Sequence, residues 1–389
     1  MSEAIFNELT NQFNEKGPEQ ALDHLCTTLE ANKDYANLFY ALLMKKRHEL
    51  GITPIPTSPA QQIPEELHAQ YEEAIRKAAT SVGQMCLKES NIAQAYNFFN
   101  LLGDTSPVAQ ALENYSPAEE EDAEPVVNIA FHQGVNPKRG FDLILDRWGI
   151  CSAITILGSQ EFPWGEEARD YCIKQVIRTL HAELTDRLIN DISSHETAPD
   201  EKTPISELVQ GRPYLFGDDM FHVDLSHLSA VVQMSINLEA CEERDIAREL
   251  CEYGRRLSKQ FQFRTEPPFD DLYADHAVYL DMLAGKNIED GIAHFRKKVE
   301  DNNPENYGTF PAEVLVNLLL RLDRPQDALD VAKEYLKEAQ DRPLSCPNLV
   351  ELCEKTKNYQ ALSEISQQLN NPVHYLAGLL GERMSVNGK

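Results

Sequence analysis

One local pattern recurs along the chain and constrains its fold more than any other feature. A short polar turn is followed by a helix that carries a small residue early and an apolar residue directly after it. The pattern stands at residues 17–22 (GPEQAL), 91–96 (NIAQAY), 287–292 (NIEDGI), 324–329 (RPQDAL) and 357–362 (KNYQAL). The last three small residues, Gly291, Ala328 and Ala361, lie 37 and then 33 positions apart. Those spacings bracket the helix–turn–helix period of about 34 residues. In a stacked hairpin the second helix crosses the first closely, and only Ala or Gly lets the two backbones approach. Leu315 and Leu319 of the preceding helix are therefore expected beside Ala328 and Ala332. Such a unit buries its apolar faces by stacking on its neighbours.

The rest of the chain reads as helix after helix. Phe6, Leu9 and Phe13 repeat at three and four residues, which predicts an inward stripe on a first helix. Gly17-Pro18 ends that helix and starts a second, because proline is tolerated in a first turn. Asp34 is the expected N-cap of a third. Three prolines in residues 52–59 remove donors and restrict their neighbours, which predicts an extended loop. Helices are expected at about 64–88, from 91 to 102, and at 108–115. The middle of the chain reads as helices at 126–134, 137–148, 150–157 and 166–193, then loops at 194–204 and 211–221. Helices resume near Asp224, and no stretch is rich in strand signals. The expected fold class is all-α, built of stacked antiparallel helix hairpins.

Residues 116–125 (SPAEEEDAEP) hold like charges with no apolar anchor, which predicts a linker or exposed loop. The expected organisation is N-terminal hairpins at 1–115, the acidic segment at 116–125, a middle helical region at 126–266 and C-terminal repeats at 267–389.

Residues 311–336 (PAEVLVNLLLRLDRPQDALDVAKEYL) resemble the tetratricopeptide repeat family. Leu315 and Ala328 match that family's leucine and second-helix alanine positions. Val316 stands where the family prefers Gly or Ala, Tyr335 where it prefers Ala, and the closing proline is displaced to Pro343. The likeness is strongest over about 268–385 and extends to bacterial proteins of this tetratricopeptide-like kind. It implies a right-handed α-solenoid with a concave groove that binds peptides or helices of other proteins. The family's carboxylate clamp of Lys, Arg and Asn is not assigned to particular residues here.

Charge narrows the partners. Lys and Arg number 36 against 63 Asp and Glu, a net charge of −27. That field repels nucleic acid and anionic membrane, whose phosphates need Lys and Arg, and favours basic partners. The clusters Lys45-Lys46-Arg47, Arg255-Arg256 and Arg296-Lys297-Lys298 are expected on solvated helix faces. The eight cysteines form no CxxC pair and are dispersed through apolar stretches, as buried thiols are. A reducing compartment and a cytoplasmic location are expected. No run approaches the roughly 20 apolar residues of a membrane span, and the first residues carry no secretory signal.

The sharpest candidate for chemistry is His222, Asp224 and His227, beside Asp218 and Asp219. Two imidazoles and a carboxylate can form a ligand set for zinc or another transition metal. The competing reading has Asp224 or Ser226 capping a helix over 228–238, with His227 in its first turn. His132, His181 and Asp275-His276 are further ligand candidates. Cys151 follows a helix break at Gly149, where a thiolate is favoured; the simpler expectation is a buried structural cysteine. Phosphate loops, dinucleotide fingerprints, HExxH and GxSxG are absent, so no catalytic residue and no cofactor is assigned.

Three functional classes follow. The first is a non-enzymatic scaffold or adaptor holding a protein partner. The second is a metal-dependent enzyme or metal-binding protein centred on His222, Asp224 and His227. The third is a structural subunit of a larger assembly.

Overall fold

The computed structural model describes residues 3–59, 63–118, 122–158, 162–217, 220–339 and 342–387. Every regular element among them is helical, so the all-α expectation holds. None of these helices is long and apolar enough to cross a membrane. The chain divides into two compact units, residues 1–153 with 161–168 and residues 154–160 with 169–389. The acidic segment 116–125 lies within the first unit, and its residues 119–121 lie outside the described residues.

The first unit contains α1 (Glu3–Lys16), α2 (Pro18–Ala31), α3 (Tyr35–Glu49), α4 (His68–Lys88), α5 (Ile92–Leu101) and α6 (Ser106–Glu113). Each packs on the next. Asp34 caps α3 by accepting from the Asn37 N–H, and Asn91 caps α5 by accepting from the Gln94 N–H. α7 (Glu124–Val127) runs into a π turn at Asn128–His132, followed by α8 (Pro137–Leu157). Gly149 (φ 75°, ψ −179°) breaks α8 where the sequence predicts the boundary between two helices.

Two expectations for this unit are corrected. Phe6 and Phe13 are well exposed, because α1 packs chiefly on α2 and leaves part of its apolar stripe uncovered. Arg47 is fully buried instead of solvated. Its Nε donates to the Tyr71 hydroxyl (2.9 Å), Nη1 to the Thr53 carbonyl (3.1 Å) and Nη2 to the Ser58 carbonyl (3.0 Å). The guanidinium also lies over the Tyr71 ring. The proline-rich loop leaves carbonyls that no helix satisfies, and a five-donor fork at the end of α3 satisfies two of them.

The second unit takes in most of α9 (Gly165–His195), then α10 (Ile205–Leu208), α11 (Leu225–Ser235), α12 (Glu242–Arg256) and α13 (Leu272–Leu283). It continues with α14 (Ile288–Glu300), α15 (Pro304–Tyr307), α16 (Phe310–Arg321), α17 (Pro325–Tyr335), α18 (Leu349–Thr356), α19 (Tyr359–Gln368) and α20 (Pro372–Asn387). From α11 onward each long helix packs on the next. Leu315, Leu319, Ala328 and Ala332 are all buried in one core with Leu352 and Ala361, as the repeat predicts. The small residues Ala21, Ala95 and Gly291 are buried as well. A Cβ on Gly291 would collide with Met282 of the preceding helix, which is the close approach the pattern demands.

The hairpins share a closing turn. Lys33, Ser90, Asp323, Lys357 and Asn370 each adopt a left-handed conformation after a helix. The next N–H then bonds back five residues, Asp34 to Leu29 (2.9 Å), Asn91 to Cys86 (2.9 Å), Arg324 to Leu319 (2.9 Å), Asn358 to Cys353 (2.9 Å) and Asn371 to Ser366 (2.8 Å). This bond satisfies a carbonyl that the helix end leaves open.

Candidate functional site

The sequence-predicted residues His222, Asp224 and His227 sit just before and at the start of α11, where each has a separate job. His222 is buried. Its backbone N–H donates to the Tyr253 hydroxyl (2.8 Å), its Nδ1 lies 3.0 Å from that hydroxyl, and its Nε2 lies 3.1 Å from Asp191 Oδ2. One proton arrangement satisfies all three contacts: the tyrosine donates to Nδ1, and the Nε2–H donates to Asp191. Burial pushes the Tyr253 hydroxyl up to about 12, so it stays protonated and able to donate. Arg187 donates to the His222 carbonyl at 2.8 Å. Asp224 caps α11 by accepting from the N–H groups of Ser226 (2.8 Å) and His227 (3.2 Å). The Ser226 hydroxyl, then these N–H groups, hold its carboxyl below the usual range. His227 is half-buried in the first turn, where the capping reading puts it.

Among the described residues, no three or more His, Cys, Asp or Glu side chains converge to hold a metal ion. Asp218 and Asp219 lie outside the described residues. The further ligand candidates are dispersed. His181 lies 3.4 Å from Glu249, His132 packs edge-on against Phe131, and His276 is buried against Phe269. Cys151 opens the second segment of α8 as expected, but it is exposed and not buried.

A charge cluster missed in the sequence lies in the α13–α14 hairpin. Asp275, 1% exposed, accepts from His294 Nε2 (2.7 Å), Lys298 Nζ (2.9 Å) and the Asp271 N–H (2.8 Å). Lys298 also donates to Asp270 at 2.6 Å. Burial pulls the Lys298 ammonium down, but bonds to Asp270 and Asp275 outweigh it and leave the group raised. Lys298 is thus half-buried and paired, a correction to its expected place on a solvated face.

The C-terminal hairpins carry a groove of about 610 Å³ lined by α13, α16, α18 and the segment after α11. Phe310, Val314, Asn317 and Arg321 follow one another at intervals of four, three and four residues, so one face of α16 forms a wall. The exposed Phe310 supplies aromatic surface, and the buried Tyr279 of α13 forms part of the groove's lining. Asn317 Nδ2 donates to the Ser345 carbonyl (2.9 Å), and Arg321 donates to the carbonyls of Ile236 and Leu238. These bonds fix the groove's edges. Glu239 and Lys355 stand exposed at its rim with opposite charge. Burial raises the Tyr279 hydroxyl against the pull of Arg321, so it remains a neutral donor. The arrangement offers apolar contact and directed hydrogen bonds, the equipment of a binding surface. In the sequence, Asn317 marks only an interruption of an apolar run; its spacing with Phe310 and Arg321 is the signal that finds the wall.

No protein-family model, curated protein or solved structure matches this chain.

Proposed function

We propose that the chain is a tetratricopeptide-like helical-repeat scaffold or adaptor, which holds a segment of a protein partner in the groove walled by α16. The observation that carries this reading is the single face of Phe310, Val314, Asn317 and Arg321, opposed by Tyr279. First helices of successive hairpins supply α13, α16 and α18, and in a solenoid those helices line the concave side. The partner is a protein with a basic surface around its docked segment. The net charge of −27 draws such a surface in and repels nucleic acid and anionic membrane. Cysteines outside any disulfide support action in the reducing cytoplasm.

The test is retention of partners from native lysate by the full chain and by a Phe310→Glu/Val314→Glu variant, read by mass spectrometry. Both substituted side chains reach the groove, and Phe310 is exposed. A stoichiometric protein held by the wild type, released by salt and lost in a variant of unchanged melting temperature, supports the reading. Equal retention by both proteins removes the groove from the function. Turnover of a substrate by the purified chain removes the scaffold assignment.

A further inference from the structure

The last helix is inside-out for a solvated element. α20 meets α19 through glycine: a Cβ on Gly378 would stand 2.8 Å from the Ser363 nitrogen, and one on Gly381 would collide with the Tyr359 ring. Its large apolar side chains point the other way. Val373 is 73% exposed, Leu376 56%, Leu380 54% and Met384 74%. These four recur at three, four and four residues, so they form one stripe along the helix. Leu369 and Leu379 widen it. Exposed apolar patches of this extent mark interaction sites.

We propose that this stripe pairs with the α20 stripe of a second copy of the chain, antiparallel about a two-fold axis near residue 378. Three observations select that occupant. The first is spacing. A two-fold interface brings the same surface of both copies together, and a reversal about residue 378 sets Leu376 against Leu380 and Val373 near Met384. The second is charge. Two chains of net charge −27 repel each other over most approaches, whereas the stripe's length carries one acid and one base, Glu382 and Arg383. Self-association therefore meets least repulsion at this face. The third is extent. Two such faces bury on the order of 1,200 Å² together, the lower range of specific, stable interfaces.

Analytical ultracentrifugation of the full chain over a concentration series tests this. The expected mass rises toward twice the 44.0 kDa chain. Added salt tightens the dimer by screening like charges. Leu376→Glu/Leu380→Glu raises the concentration for half-dimerisation by at least about 100-fold, since buried unpaired charges oppose each other across the axis. Circular dichroism stays unchanged, and so does the melting temperature at concentrations where both proteins are monomeric, because both positions are exposed. Val373→Glu/Met384→Glu, at the ends of the stripe, gives the same direction should the first pair disturb folding. A wild-type chain that keeps a mass of 44.0 kDa at every concentration overturns the proposal. So does a dimer that survives both variants. So does a monomer whose stripe instead drives binding to zwitterionic lipid vesicles.

Discussion

Asp275 Oδ1 stands 2.7 Å from His294 Nε2, joining the two helices of the α13–α14 hairpin through a fully buried carboxylate. The other oxygen takes Lys298 and the Asp271 N–H. Removing the acid leaves Lys298 with Asp270 alone and takes away the acceptor of the Asp271 N–H and of His294 Nε2. Asp275→Ala is expected to lower the unfolding free energy by about 3–5 kcal/mol, seen as a lower urea midpoint with an unchanged slope. Asp275→Asn keeps an acceptor and lies between. A variant with the wild-type midpoint would mean that the cluster adds nothing to the hairpin.

His276 gives the fold a pH dependence of known sign. Burial holds its imidazole down at about 4, against an ordinary value near 6.5. The folded chain keeps it neutral, stacked 4.2 Å from the Phe269 ring. Between those two values the unfolded chain binds the extra proton. Stability contributed by His276 is fully present above pH 6.5 and falls as pH drops towards 4, by roughly 3 kcal/mol in all. His276→Leu should flatten the curve between pH 6.5 and 5, above the window in which carboxylates titrate. Urea midpoints of both proteins across that range measure the difference.

Arg47 predicts the fate of the proline-rich loop. Arg47→Leu removes three hydrogen bonds and leaves the Thr53 and Ser58 carbonyls without their donor. The expected loss is about 2–4 kcal/mol, together with faster proteolysis within residues 52–59. Arg47→Lys should recover little, because an ammonium cannot span a hydroxyl and two carbonyls as a planar fork does.

Ala328 tests the close crossing of hairpin helices. Ala328→Leu forces extra methylenes into a site with no exposed surface and should cost about 1–3 kcal/mol. Asp330→Leu, two positions on and exposed, should change stability by less than about 0.5 kcal/mol. Equal effects in thermal melts would detach the small residue from the packing.

Features governed by a few neighbouring residues were readable in the chain. Gly17-Pro18, Gly149 and the caps Asp34 and Asp224 act through residues a few positions away, and each stands where the residue types predict. The buried rows of the α16–α17 hairpin were readable for a related reason, since helix period and repeat spacing reinforce each other. Features set by distant partners were not. Arg47 looks like a solvated base until Tyr71, 24 residues on, and the loop carbonyls surround it. Asp275 and His294 lie 19 residues apart, with no motif linking them. His222 and His227 are close in sequence, yet a buried tyrosine and a capping aspartate give them unrelated surroundings. Exposure of Phe6 and Phe13 is likewise a property of what covers a helix, which its own periodicity does not contain.

The cysteines turn these hairpins into their own reporters. Burial pushes the Cys86 thiol up to about 11 and Cys346 up to about 12, and drives Cys251 and Cys353 upward too. Thiolate, not thiol, attacks an alkylating reagent, so these four stay silent while the packing that buries them is closed. Cys151 is the one exposed thiol among the eight, the others being buried or half-buried. Timed alkylation followed by peptide mapping should mark Cys151 at once, and the five buried thiols only as the packing around them opens. The order of labelling then becomes a map of which hairpins breathe together and which come apart singly.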